Sequence, residues 1–368
     1  MPNIIFYVFI AVVVLQLVYY LGVFGKFAFA KPQQVTAKRL SVSVIVCAKN
    51  DAERVKELVP VLAAQNYPDF ELVLIDNASS DDTLDIFEAF EKQYRNIRLV
   101  KVENNEAFWG NKKYALTLGM KAAGKDYLLF TDANCYPTSP DWITHMASQF
   151  TMSKTIVLGY SAYEKVKGSF LNKIIRFDAA LGATQRFAWA ALGRPFTADG
   201  RNLAYKKDEF FKRNGYINHM NIRTGEDALF VNDAATKKNT TLCYTPQSFT
   251  YTKARKTFKS WAKDKRKAAF TASFFKPFDR IQLKTFIFLQ AAFFILLIVL
   301  LVLQFNWMYV LPAVMVRYIA GWVTMAQSAK RLNEKDAVYW YPVMEIILIF
   351  TQLYVYIANF TSKPVHWK

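Results

Sequence analysis

Leu128-Leu129-Phe130-Thr131-Asp132-Ala133-Asn134 is the stretch on which the fold turns. Its apolar start reads as a buried strand that runs into a polar turn, with a carboxylate at its mouth and a second oxygen two residues on. Residues i and i+2 of an extended segment point the same way. Hard oxygen ligands in that arrangement suit Mg2+ or Mn2+, cations that bridge a diphosphate. Asp and Asn are also ordinary turn residues, so the surrounding sequence has to decide.

Upstream, residues 42–46, 72–75, 97–102 and 127–130 are short apolar runs that read as strands, and residues 53–64, 82–93 and 112–123 carry helical periodicity. Strands alternating with helices of this length predict an α/β domain with a parallel sheet covered on both faces. Ligands of such sheets bind beyond the carboxyl ends of the strands. A second strand-end carboxylate, Asp76, precedes Asn77-Ala78-Ser79-Ser80-Asp81-Asp82. Helix capping by Ser80 or Asp81 accounts for the end of that stretch but not for Asp76. A third acidic element, Gly225-Glu226-Asp227, stands just before an apolar helix start, where capping is an equal reading. A fourth, basic element within residues 253–276 contains Trp261, Lys263, Asp264, Lys265, Arg266 and Lys267; a plain interfacial amphipathic helix has the same pattern.

Composition separates the chain into two kinds of segment. Of its 368 residues 53% are hydrophobic and 16% aromatic, yet 21% are charged. Residues 4–24, 283–303, 307–326 and 339–360 are apolar and approach the ~20 residues a spanning helix needs. A cleaved signal peptide competes for the first run, with Ala28-Phe29-Ala30 as its small-residue site. The run's length and the lack of a preceding basic residue favour an anchor. Lys26, Lys31, Lys38 and Arg39 follow it, and Lys330, Arg331 and Lys335 lie between the last two runs. The positive-inside rule then places the main domain in the cytosol. Arg317 and Glu345 fall inside apolar runs, where charges are costly unless paired or functional; pairing with each other is the simpler expectation.

The formal net charge is +18, from 47 Lys and Arg against 29 Asp and Glu. Basic residues bordering apolar runs fit apposition to an anionic membrane surface better than nucleic-acid binding, which needs a recognition element or stacking platform. Cys47, Cys135 and Cys243 are far apart with no CxxC spacing, which suits a reducing compartment without a disulfide framework. The expected organisation is an N-terminal anchor over 1–27, a cytosolic domain with interfacial helices over 28–278, and a membrane region of about three helices over 279–368.

The order of these elements resembles the family-2 glycosyltransferases of GT-A fold: Val42-Ser43-Val44-Ile45-Val46 with Lys49-Asn50-Asp51, the Asp76 turn, Lys112 before Ala115-Leu116, Thr131–Asn134, then Glu226-Asp227. The likeness covers about 41–276, and the flanking segments look like the membrane-bound branch that includes ceramide glucosyltransferases and polysaccharide synthases. It implies a Rossmann-like mixed sheet with helices on both faces. It also implies that Asp76 hydrogen-bonds the base of a sugar nucleotide, that Ala48 and Asn50 line that pocket, and that Lys112 approaches the base or phosphates. Asp132 would contact the ribose or sugar, and Asn134 stands where the family's second D-x-D carboxylate holds the metal. That departure implies a weakly bound Mg2+ or Mn2+. Asp227, beside Glu226, matches the general base of an inverting transfer.

The family's Q-x-x-R-W is the motif that fits worst, since its Gln and Trp are absent from both registers in which it can be read. Reading from Lys263 puts Arg266 at the Arg position and Lys267 at the Trp; reading from Asp264 puts Lys267 at the Arg. Either way a cation near the leaving diphosphate is implied. Gly200-Arg201-Asn202 resembles the segment beside the acceptor site, with Asn202 as a candidate contact and Trp261 as a further one. Residues 170–189 are apolar and aromatic, interleaved with Lys173, Arg176 and Arg186, and either admit a lipid acceptor at the interface or form a buried helix. The expected activity is transfer of a sugar from a UDP-linked donor to a membrane lipid in a bacterial inner membrane, one sugar per acceptor because the membrane spans are few and the Q-x-x-R-W is not intact. A processive polysaccharide synthase is the alternative enzyme, and a catalytically inactive membrane scaffold the alternative of another class.

Overall fold

A computed structural model describes residues 2–103 and 112–362; residues 363–368 of the expected C-terminal region lie outside the described residues. The chain divides into two compact units. One comprises residues 32–166 and 193–254, the other residues 1–31, 167–192 and 255–364.

The first unit is built on a seven-stranded sheet. Its strands β1 (Val42–Ala48), β2 (Phe70–Asp76), β3 (Ile97–Lys101) and β4 (Tyr127–Asp132) correspond to the four apolar runs, with β2 and β4 each ending on the acidic residue. β1 is buried along nearly its whole length, as a parallel strand covered on both faces must be. β2 and β4 flank it in parallel register, with Ala48 opposite Asp76 and Cys47 opposite Asp132. Those pairings put Ala48, Asp76 and Asp132 on one carboxyl edge.

Beyond β4 the sheet turns from parallel to mixed, as the resemblance implied. β8 (Leu203–Lys206) is antiparallel to both β4 and β6 (Ile156–Leu158), and β9 (Thr240–Leu242) joins β6 in parallel. The sheet is therefore mixed, in the order β3-β2-β1-β4-β8-β6-β9. A separate three-stranded sheet pairs β10 (Thr250–Thr252) with β5 (Cys135–Pro137) and β7 (Ser161–Tyr163). Three helices follow β1, β2 and β3: α2 (Ala52–Ala63), α3 (Thr83–Gln93) and α4 (Lys112–Ala122). On one face Val44, Val46, Leu72, Leu74 and Leu129 pack with Val55, Leu58, Val59 and Leu62 of α2 and with Trp142 and Met146 of α5 (Trp142–Ser148). Each such fully buried aliphatic side chain stabilises by roughly 1.5–3 kcal/mol.

Among the described residues, the second unit contains four helices long and apolar enough to cross a membrane: α1 (Pro2–Ala28), α10 (Pro277–Val302), α11 (Trp307–Arg331) and α12 (Tyr341–Thr361). α1 widens to a π-helical stretch at Val18–Phe24, an irregularity that no residue periodicity announces. Two further helices belong to this unit, α6 (Phe170–Ala191) and α9 (Phe258–Ala272).

Arg317 and Glu345 pair with each other, Arg317 Nη1 lying 2.5 Å from Glu345 Oε2. Gln16 Oε1 accepts from Arg317 Nε at 2.7 Å, and the hydroxyl of Tyr20 and the amide of Gln290 each donate to Glu345 Oε1 at 3.1 Å. The guanidinium also lies over the Phe293 and Tyr318 rings, 4.5 and 4.7 Å from their centroids. One ion pair thereby ties α1, α10, α11 and α12 together, which is how an intramembrane charge is tolerated. α6 is held to the same unit by Arg176, whose guanidinium donates to Glu334 and Asp336 in the α11–α12 connection.

Candidate active site

The carboxyl edge of β1 and β2 carries two loops that lock together. Asn50 adopts a left-handed conformation at φ 53° and Ala78 does so at φ 52°, the latter an uncommon place for a residue with a Cβ. Asn50 N–H donates to Ser79 Oγ at 3.1 Å, and Asn50 Oδ1 accepts from Ser80 N–H at 2.8 Å. The next two amides continue the pattern: Asp51 N–H donates to Thr83 Oγ1 and Ala52 N–H to Asp81 Oδ2. Asn50 thus spends its side chain on shaping the edge.

Asp76 sits behind these loops and is only 3% exposed. Its Oδ2 accepts from Ser79 N–H at 3.2 Å, while its Oδ1 is buried with no partner. A buried oxygen left unmade costs about 1–3 kcal/mol, and a ligand N–H would satisfy it. Ala48, opposite Asp76 in the ladder, supplies backbone there: its carbonyl accepts from Asn77 N–H at 2.9 Å.

The chemistry gathers around Lys112, the first residue of α4. Its ammonium lies 2.7 Å from Asp132 Oδ1 and 2.8 Å from Glu226 Oε1. Burial opposes the charge of Lys112, but Asp132, Glu226 and Asp227 outweigh it and hold the ammonium well above its usual range. Glu226 and Asp227 open α8 (Glu226–Ala234), entered through Gly225 at φ 73°. That left-handed conformation is free to glycine and turns the chain so that both carboxylates enter on the first helical turn, where the helix dipole also favours them.

The two neighbouring carboxyls are driven apart. Burial pushes Glu226 up, but Lys112 prevails and keeps it ionised below its usual range. Asp227 is raised well above the usual carboxyl range by burial and by the charge of Glu226, with Lys112 opposing and Asp132 and Asp199 adding to the rise. Two carboxyls whose environments separate their pKa values mark an acid/base assignment. Burial likewise pushes the Cys47 thiol up to about 12, so Cys47 is an inert part of the site floor.

Asp227 lies against Gly200. A Cβ on Gly200 would fall 1.9 Å from Asp227 Oδ2 and 2.0 Å from its Cγ, so any side chain there must expel the carboxylate. Gly200→Ala is expected to lower kcat by about 10²-fold, the usual consequence of a 1 Å displacement of a reacting group. Affinity for the nucleotide, read by calorimetry, should be unchanged. A kcat within about twofold of the parent would refute this placement.

Asn134 is exposed, and its Oδ1 accepts a weak hydrogen bond from the Cys135 thiol at 3.6 Å. Among the described residues no group of three or more His, Cys, Asp or Glu is arranged to hold a metal ion. Asp132 and Asn134 offer one carboxylate, already engaged by Lys112, and one amide oxygen. That set fits a cation brought in with a diphosphate, since Mg2+ is commonly bound through one or two carboxylates plus substrate phosphates.

Asn202 does not present itself to an acceptor. It is 1% exposed; its amide donates to the carbonyls of Tyr160 and Ser248 at 2.8 and 2.7 Å, and its Oδ1 accepts from Trp142 Nε1 at 3.1 Å. A buried amide with both ends satisfied is a structural tie. The guanidinium of the neighbouring Arg201 forks onto Asp199 at 2.8 and 2.6 Å and lies over the Tyr163 ring.

Trp261, Arg266 and Lys267 lie on α9, in the other unit. Trp261 is buried against Phe258 rather than free to meet an acceptor. Arg266 does not offer a free cation for a diphosphate. It donates to the Ala358 carbonyl at 2.9 Å, Asn359 Oδ1 at 3.0 Å and Ser362 Oγ at 2.9 Å, capping the carbonyl end of α12 as a basic residue does. The ammonium of Lys267 is lowered by burial, with Asp264 opposing.

Sequence reasoning missed Lys113. Its ammonium is buried and donates to the carbonyls of His219 at 2.7 Å, Ile222, and Thr224 at 3.4 Å. It thereby fixes the strand of chain that delivers Gly225-Glu226-Asp227. The adjacent basic pair Lys112-Lys113 was the available signal.

Residues 43–219 match the Glycosyl transferase family 2 family. The poly(ribitol-phosphate) β-N-acetylglucosaminyltransferase TarS of Staphylococcus aureus is 34% identical over 99 residues, covering 26% of this chain and 17% of its own. The Escherichia coli UDP-Glc:α-D-GlcNAc-diphosphoundecaprenol β-1,3-glucosyltransferase WfaP is 26% identical over 125 residues, 33% of this chain and 45% of its own. The chain therefore spans less than half the length of these curated relatives. Among solved structures, the Pyrobaculum calidifontis mannosyltransferase PcManGT, in complex with GDP-Man and Mn2+, superposes with a TM-score of 0.53 at 15% identity, covering 97% of this chain and 95% of its own. That likeness is one of fold. The mixed sheet is thus of GT-A type, and residues 43–219, just under half of the chain, resemble Glycosyl transferase family 2, while among the described residues four helices are long and apolar enough to cross a membrane.

Proposed function

We propose that the chain is an inverting glycosyltransferase that moves one sugar from a UDP-linked donor to a membrane lipid, with its catalytic unit on the cytosolic face of a bacterial inner membrane. The observation that carries this is the pair Glu226-Asp227 beside Lys112 and Asp132: one carboxylate kept ionised by the lysine, the other raised by burial and by its neighbour. A general base works best when its pKa approaches the operating pH, and the rise of Asp227 is in that direction. Asp227 takes the proton of the acceptor hydroxyl as its oxygen bonds to the anomeric carbon. The bond to the diphosphate breaks in the same displacement, and the electron pair leaves with the nucleotide.

Asp76 is the proposed contact to the base, because its buried Oδ1 lacks the hydrogen bond that a uracil N–H supplies. Lys112 offsets charge on the diphosphate. Where Mg2+ or Mn2+ binds, Asp132 and Asn134 are the residues to hold it, and it adds positive charge at the leaving group. The relative WfaP is named for a UDP-glucose donor and a lipid-linked acceptor, and the four apolar helices would keep a catalytic unit beside such lipids.

Donor recognition has its own test. Asp76→Ala should weaken UDP binding by about tenfold or more, since truncating one partner of a charge-assisted hydrogen bond removes roughly 1.5–3 kcal/mol. Calorimetric titration of UDP and GDP reads this directly. Equal UDP affinity in parent and variant, or a preference for GDP, would overturn the assignment of donor and base contact.

A further inference from the structure

The strap of chain from Asp199 to Asn202 is pinned on both sides of Gly200. Asp199 caps the short turn Gly200–Asn202: its carboxylate accepts from Arg201 N–H at 3.2 Å and its carbonyl from Asn202 N–H at 3.0 Å. The Arg201 carbonyl accepts from Thr250 Oγ1 at 3.0 Å, and the Asn202 side chain is tied to Tyr160, Ser248 and Trp142. Gly200 itself carries no side chain, and Asp227 occupies the space that one would fill.

The residues on either side of Gly200 also pair with each other. Arg201 Nε and Nη2 both donate to Asp199, and the guanidinium carbon lies 5.0 Å from the centroid of the Tyr163 ring. The Arg201 side chain is 20% exposed and that of Asp199 14%. Burial opposes the charge of Arg201, but Asp199 outweighs it and holds the guanidinium well above its usual range. An enclosed ion pair adds little net stability once its desolvation is counted, whereas its field acts strongly on neighbours where water is scarce. Asp227 is such a neighbour. The charged and titratable groups that act on it, or feel it, are Glu226 beside it on α8, Lys112 and Lys113 of α4, Asp132 of β4, Tyr205 of β8, Tyr216, and Asp199 of the strap.

We propose that Asp199 and Arg201 are a positioning pair for the general base: they hold the Gly200 seat against which Asp227 rests, and their balance of charge sets the field at its carboxylate. The inference rests on the reading of Asp227 as the base and adds two residues that act through it. Asp199 raises Asp227, and Arg201 offsets Asp199, so losing one member or the other tips the balance in opposite directions. Without Arg201, Asp199 stands uncompensated and Asp227 keeps its proton to higher pH. Without the Asp199 charge the repulsion is gone, the guanidinium is left over, and Asp227 releases its proton at lower pH. A pair that served the fold alone would give no such opposition.

The titration midpoint of Asp227 is read without catalysis by carbon-13 NMR of the whole chain in nanodiscs, with aspartate labelled at its carboxyl and the resonance assigned by its loss in Asp227→Asn. The midpoint should fall in Asp199→Asn and rise in Arg201→Gln, and the double variant should return toward the parent. Asn still caps a turn as Asp does, so Asp199→Asn carries the test even where Arg201→Gln folds poorly. The acid limb of turnover should move with each midpoint. At its pH optimum, kcat of Arg201→Gln should fall about tenfold or more, with UDP affinity within about threefold of the parent. Unmoved midpoints, midpoints that move the same way in both variants, or a kcat of Arg201→Gln within about twofold of the parent would each overturn the proposal. Opposite midpoint shifts in a parent that transfers no sugar would overturn the transferase reading while upholding the pair's hold on Asp227.

Discussion

Asp227→Asn abolishes transfer while leaving nucleotide binding intact; that is the largest effect the site predicts. Removing a positioned general base costs about 10²–10⁴-fold in rate, and the amide that replaces the carboxylate is nearly isosteric, so Gly200 still accommodates it. The substitution also removes one carboxyl from a crowded acidic group, so the fold should lose no stability. Turnover measured by nucleotide release should fall by at least about 10²-fold with UDP affinity within about threefold of the parent. A variant retaining a third of parental turnover would remove Asp227 from the chemistry.

Lys112→Met is expected to be nearly as severe, for an electrostatic reason. The lysine is the cation that holds Asp132 and Glu226. Without it, breaking a largely buried charge pair costs about 3 kcal/mol of stability. Lys112 also pulls Asp227 down against burial and Glu226, so its removal raises Asp227 further. The base must be deprotonated to act. Activity therefore falls as pH drops through the pKa of Asp227, and in the variant that acid limb moves to higher pH. Stability runs the other way: a carboxyl whose pKa is raised on folding contributes stability below its unfolded pKa and loses it as pH rises through the folded one. The melting-temperature gap between variant and parent should widen with pH. Coincident pH–rate limbs, or a gap constant across pH, would contradict the role given to Lys112.

The half of the sheet that positions these groups was legible because β1, β2 and β4 are apolar runs, β2 and β4 ending on acidic residues, and their register follows from parallel pairing. The other half was not. β6, β8 and β9 are three or four residues long, too short to show alternation, so the antiparallel turn of the sheet at β8 left no periodic trace. Lys112 and Lys113 are adjacent in sequence but 100° apart around a helix, one facing carboxylates and the other the 219–224 carbonyls. Pattern alone gives no reason to separate them.

Asn202 and Arg266 show the opposite difficulty. Each has the right chemistry for a substrate contact, yet the fold spends Asn202 on Trp142 and two carbonyls and Arg266 on the end of α12. Only tertiary partners decide whether a polar side chain is free to bind. The four apolar helices, by contrast, were readable from length and composition, and the Arg317–Glu345 pair from the cost of leaving either charge alone in hydrocarbon.

The most direct test of the central claim is mass spectrometry of membrane lipids from cells expressing the parent chain or Asp227→Asn at equal abundance. One lipid class displaced by the mass of a single sugar is expected in the parent and absent from the variant. Identical lipid profiles from the two strains, or a long polymer in place of a single-sugar product, would contradict it.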